Sequence, residues 1–234
     1  TTLKEPLMMV DEIALNEKEW KQNRYVRCID FWGIPIPIAW YLLLSVFTRQ
    51  EGDWDFEAPQ PTALLVGQAV LAFIGFMTFF YHTQGWPCKA EEDAFQGMKY
   101  IGRWMFLTRH CLTLQMVHLS LSFFGAATKN KYVQGLTYGA TYWIGAMGCF
   151  VTIQFFVLVY KNKDFIVKCK AMAGKRGFFG LLDFRHYNAG LHIPAFPLAV
   201  CDVVFAKSHS LLLGGACTLL ATGSLVFFYI CFYI

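Results

Sequence analysis

The stretch "GRWMFLTRHCLTLQMVHLSLSFFG", residues 102–125, mixes lipid-like side chains with hydroxyls, two arginines, two imidazoles and a carboxamide. Thr108, Gln115 and Ser122 recur every seven residues, so a helix carries them on one face, with Cys111 on the same stripe. Other polar groups stand in apolar surroundings further on: Gln154, His192 and Asp202. A hydroxyl beside an imidazole is the minimum kit for nucleophilic acyl transfer, in which the imidazole takes the proton and the oxygen attacks an ester carbonyl. Thr108 as nucleophile and His192 as base are the candidates for that chemistry. A threonine hydroxyl alone holds its proton too firmly to attack unaided.

The elements that must position these groups are membrane helices. Of 234 residues, 56% are hydrophobic, 23 are Phe, and only 15% are charged, against about 25% in a soluble domain. Mean hydropathy is +0.40. At about 20 apolar residues per span, the expected fold is an all-α, polytopic membrane bundle of about six transmembrane helices over 31–234. A polar tail with an interfacial helix is expected over 1–30. The spans read as 31–48, 62–82, 104–127, 136–160, 190–206 and 210–234.

Pro35 and Pro37 make the first span a candidate re-entrant segment, but charge argues for a full crossing. With six spans, one face holds five Lys/Arg in the tail and three and seven in the loops 83–103 and 161–189; the other face holds four. The positive-inside rule then places both termini on the basic face. The basic, Gly-rich loop 161–189 reads as topological charge and a contact for anionic lipid headgroups. Net charge is +4, with no basic run interleaved with aromatics, so a nucleic-acid partner is not expected. The eight scattered cysteines form no C-x-x-C and read as buried small hydrophobes.

Depth brings the candidates together. At about 1.5 Å per residue, Thr108 sits roughly 6 Å, His192 roughly 3 Å and Gln154 roughly 9 Å from the basic face. Asp202 and His118 lie much deeper, at roughly 18 Å and 21 Å. A His118–Asp202 contact between the third and fifth spans is therefore expected, structural in role. Arg109 is close enough to the face to snorkel to the headgroups, with a clamp on a substrate carboxylate as the alternative. His110 and His118 point about 80° apart on one helix, which does not suit a haem held between facing imidazoles. No metal or other cofactor is expected.

"GRWMFLTRHCLTLQ" resembles the threonine-bearing segment of the androgen-induced-protein family of integral membrane hydrolases, with Phe106, Leu107, Thr108, Leu112 and Gln115 matching. About 80 residues later, "YNAGLHIPAFPL" is similar to that family's second segment through Asn188, Gly190 and His192. "FFVLVYKNKDFIVK" and "SLLLGGACTLL" resemble the intervening helix end with its basic loop, and the next span. The resemblance covers about residues 62–234. It implies a helical bundle that hydrolyses esters between fatty acids and hydroxy fatty acids, with a threonine nucleophile and a histidine. Those roles fall on Thr108 and His192 by residue match. Polar or oxyanion support is assigned to Gln154, Asn188 and Gln115.

The sequence departs from the family in three ways. Arg109 and His110 stand where the family is apolar, there is an extra N-terminal span, and the family's further C-terminal helix lies beyond Ile234. The sequence is thus equally compatible with an inactive accessory subunit of a large organellar membrane complex, of respiratory or ATP-synthase type. The expected location is an integral membrane of endoplasmic-reticulum type or the mitochondrial inner membrane of a eukaryote.

Overall fold

The computed structural model describes residues 33–49, 62–83, 104, 106–160, 190 and 192–206. Among them the secondary structure is helical, without strands. Five α-helices follow one another: α1 (Pro35–Phe47), α2 (Thr62–Thr83), α3 (Leu107–Thr128), α4 (Lys131–Gln154) and α5 (Ala195–Ala206). A π-helical segment, Phe155–Tyr160, extends α4.

Among the described residues, three stretches are long and apolar enough to cross a membrane: Thr62–Phe80, Leu107–Thr128 and Lys131–Val157. α1 is apolar but has only 13 residues, about 20 Å at 1.5 Å per residue, short of a hydrocarbon core of about 30 Å. Pro35 lies in its first turn, where the missing N–H costs no helical bond. The sixth span, the N-terminal tail and the loop 161–189 lie outside the described residues.

The link between the third and fourth spans is shorter than the sequence suggests. α4 starts at Lys131 rather than at 136, because Asn130 caps it: the Asn130 side chain accepts from the Val133 N–H at 3.2 Å. Lys129 adopts φ 54° and ends α3 with a left-handed residue, and the Asn130 N–H bonds back to Gly125 at 3.0 Å. Gln134, polar and therefore read as loop, donates to the Gly125 carbonyl at 2.8 Å and staples the hairpin.

α3 is the central helix. It packs against α2, α4, α1 and α5, and Cys111, Leu112, Leu114 and Leu119 on it are buried. Tyr41, Ala140, Trp143, Ile144, Met147 and Ala195 join it in one apolar core. α2 sends Leu71 inward to Leu119 and Leu198, while Val66, Val70, Phe73 and Phe76 face outward and exposed, as expected of a helix whose solvent is lipid. Helix approach depends on small residues, as is usual in membrane bundles. A Cβ on Gly148 would lie 2.6 Å from the Ala195 carbonyl oxygen and 2.9 Å from Gln115 Nε2. α4 and the start of α5 can touch there because Gly148 has no side chain.

Candidate active site

Thr108 is the second residue of α3, whose N-cap, Phe106, is extended and makes no side-chain cap. The Thr108 hydroxyl lies 3.0 Å from His192 Nε2. With the imidazole proton on Nδ1, Nε2 accepts from the hydroxyl and can take its proton. Both residues are half-buried. Thr108 also sits where the helix dipole is positive, which favours an oxygen developing negative charge.

Two further contacts hold His192 in place. The Phe155 ring stacks on the imidazole, centroids 4.3 Å apart and planes 12° apart. Thr152 Oγ1 donates to the His192 carbonyl at 2.7 Å. Pro194 follows, and regular helix begins with Ala195. Phe155 opens the π-segment of α4. A π-turn shifts the face that later residues present. Phe155 is buried against His192, while Phe156 and Val157 are exposed.

Gln115 and Gln154 take places other than polar support of the Thr108–His192 pair. Gln115 is buried and donates through Nε2 to the Ala195 carbonyl at 2.5 Å, tying α3 to the first turn of α5. Gln154 is half-buried and makes no hydrogen bond to Thr108 or His192 among the described residues. The part of α4 that reaches His192 is Thr152 and Phe155. Asn188 lies outside the described residues.

The snorkelling expected of Arg109 does not occur. Arg109 is 1% exposed, and its guanidinium lies 4.5 Å from the centre of the Trp104 ring. His110 Nε2 donates to the Trp104 carbonyl at 2.6 Å, and its ring tilts against the indole at 5.4 Å. Trp104 thus folds back over the first turn of α3. Its π-face replaces part of the hydration that snorkelling would have supplied.

Ten residues further along both helices lies a second polar layer. His118 Nε2 is 2.9 Å from Asp202 Oδ2, the contact expected from depth. Tyr41 Oη is 2.9 Å from His118 Nδ1. With the proton on Nε2, His118 donates to the carboxylate and accepts from the phenol, so both ring nitrogens are satisfied. Thr141 Oγ1 donates to Thr137 O at 2.8 Å and approaches Asp202 Oδ2 at 3.4 Å. Tyr41, His118, Thr141 and Asp202 are all buried, and the Trp143 ring packs 5.5 Å from that of Tyr41. Sequence reasoning found His118 and Asp202 but missed Tyr41, Thr152 and Phe155. The only signal for Tyr41 was a phenol inside an apolar run, where the hydroxyl needs a partner.

Thr108–His192 and His118–Asp202 are both separated by 84 residues. A constant offset means that α3 and α5 run side by side in the same direction, in one register. Among the described residues no group of three His, Cys, Asp or Glu is arranged to hold a metal ion. No family model, curated protein or solved structure matches this chain.

Proposed function

We propose that the chain is a membrane-embedded hydrolase of lipid esters, with Thr108 as nucleophile and His192 as base. The observation that carries this reading is the 3.0 Å approach of the Thr108 hydroxyl to His192 Nε2. In the proposed reaction, His192 Nε2 takes the hydroxyl proton as Oγ1 bonds to the ester carbonyl carbon. The tetrahedral intermediate collapses with cleavage of the ester C–O bond, and His192 returns the proton to the leaving alcohol. Water, deprotonated by the same imidazole, then attacks the acyl-threonine; the acid leaves and Oγ1 regains its proton. The first-turn amides of α3 favour the negative charge that forms at each attack.

The rim around the pair supports a lipid substrate. Ile153, Phe156 and Val157 at the end of α4, and Ile193 and Phe196 at the start of α5, are large, apolar and exposed. An acyl chain arriving sideways from the bilayer meets apolar side chains there. The resemblance of "FLT" and "N-x-G-x-H" to the androgen-induced-protein hydrolases points to the same substrate class, esters of fatty acids with hydroxy fatty acids. The six-span topology, with both termini and the site towards the basic face, belongs to this proposal. So does residence in an endoplasmic-reticulum-type or mitochondrial inner membrane.

The test is covalent labelling by a fluorophosphonate serine-hydrolase probe. Loss of the adduct in Thr108→Ala is the expected result; equal labelling of wild type and variant sinks the reading. A second reading, an accessory subunit of a larger membrane complex, is favoured by α1. That helix is short for a bilayer, and its outer face exposes Ile36, Leu43, Val46 and Phe47, a surface suited to a neighbouring helix. Comigration with a megadalton complex on native electrophoresis after mild detergent extraction would support it; migration as a small free protein would exclude it.

A further inference from the structure

The layer formed by Tyr41, His118 and Asp202 takes no part in the proposed chemistry, yet it joins α3, which carries Thr108, to α5, which His192 precedes by three residues. We propose that this layer is the positioning device of the site: it locks α5 in register and rotation against α3, so that His192 Nε2 faces the Thr108 hydroxyl. The function assigned to the lock rests on the hydrolase reading; the lock itself does not.

The apolar contacts between α3 and its neighbours do not by themselves choose a register. Leu119, Leu71 and Leu198 interlock without directional bonds, and apolar contact is non-directional. A slip of α5 by one turn, about 5.4 Å, would still set apolar residues against apolar residues. It would carry His192 to the level of Trp104 or Leu112, away from Thr108. The same slip would carry Asp202 to the level of Leu114 or Ser122 and away from the His118 N–H. A buried carboxylate separated from its partner is strongly disfavoured, so the deep pair selects one register among several that packing tolerates. A single polar group fixing the register of packed helices is the best-attested use of such groups.

Tyr41 makes the lock three-way. Asp202 Oδ2, which can only accept, faces Nε2 at 2.9 Å and holds the imidazole proton there. The Tyr41 hydroxyl then donates to Nδ1 at 2.9 Å and completes the set of partners for the ring. Through Tyr41, α1 acts on the helix that carries Thr108. The Gln115 bond to the Ala195 carbonyl lies between the two layers. That bond reaches a backbone group, which every turn of a helix offers. It holds the helices close without marking one register as His118 and Asp202 do.

The test reads the register without using the enzyme's activity. In full-length protein carrying Thr108→Cys, the introduced thiol and the native His192 imidazole form a two-ligand site for Cd²⁺, a soft divalent ion that takes both ligand types. Bound Cd²⁺ protects that thiol from N-ethylmaleimide, read by mass spectrometry of the α3 peptide. Adding Asp202→Ala is expected to raise the Cd²⁺ concentration for half-protection by about tenfold, the scale of coupling through packed helices. Asp202→Asn keeps an acceptor for the His118 N–H and is expected to stay within about threefold of the parent. A folded Asp202→Ala protein that is protected as well as the parent overturns the proposal. If that variant does not fold, Tyr41→Phe decides: a rise of about threefold or more supports the lock, and an unchanged value overturns it. Fluorophosphonate labelling of the same variants in the Thr108 background separates the two readings. Probe labelling that survives Thr108→Ala removes the hydrolase but leaves the Cd²⁺ result standing as a test of the lock.

Discussion

The two polar layers between α3 and α5 use the same type of pair, an imidazole against an oxygen, at the same 84-residue offset. Their surroundings differ. Thr108 and His192 are half-buried, neutral when paired, and edged by exposed apolar side chains. His118 and Asp202 are closed off by Tyr41 and Thr141. A half-buried hydroxyl–imidazole pair is the one the hydrolase proposal needs open to a substrate, and it should have little influence on stability. A carboxylate–imidazole pair sealed in the core has no room for a substrate and a large influence on stability. On the hydrolase proposal, burial and the choice of hydroxyl or carboxylate divide two similar pairs between reactivity and architecture.

The sharpest way to break this comparison is to remove one partner from each layer. Thr108→Ala is expected to lower probe labelling at least about 10³-fold, the scale seen when a nucleophile is deleted. The same change should cost only about 0.6 kcal/mol of stability, the average for an interhelical hydrogen bond in a membrane. Asp202→Ala should weigh the other way, costing about 3–5 kcal/mol of stability by leaving the His118 N–H and the Tyr41 network without their acceptor, with labelling reduced only about tenfold through the lost register. Thermal unfolding in detergent reads both. If Thr108→Ala proves the more destabilising of the two, the division of roles between the layers is wrong.

Two smaller effects sharpen the comparison. Gly148→Ala places a methyl against the Ala195 carbonyl and Gln115 Nε2. It is expected to cost about 1–3 kcal/mol by overpacking, and to slow labelling by shifting the start of α5 away from Thr108. A variant that unfolds earlier but labels normally would show that His192 is placed independently of that contact. Phe155→Leu removes the ring stacked on His192. Its stability cost should be about 0.5–1.5 kcal/mol, with a several-fold drop in labelling rate. Unchanged labelling would mean that Thr152 and the α5 backbone orient the imidazole without the ring.

His192, His118 and Asp202 were legible in the sequence because each is a costly residue in an apolar stretch, and Thr108 because it shares a seven-residue stripe with Gln115 and Ser122 and stands in the family-like segment. Helix rise alone converts such positions into depth, and two pairs emerge at two levels. Thr152, Phe155 and Tyr41 were not legible, because a threonine or aromatic ring in a membrane helix is ordinary until its neighbour is known. Phe155 reaches His192 at the point where α4 becomes a π-helix, a backbone change that side-chain pattern does not announce. Arg109 shows the opposite error. Its distance from the basic face suggested an escape to the headgroups, but Trp104 folds over it and offers a closer partner.

The amino-acid sequence alone fixes that the chain builds apolar helices, and how far along its helix each polar group lies. Composition and a fixed rise per residue are local properties, and no partner is needed to read them. Which groups touch, and which of two similar imidazoles is left within reach of lipid, was decided only by tertiary structure. Those outcomes depend on helix rotation and on close approaches such as Gly148 against Ala195, which exist only once the helices have packed.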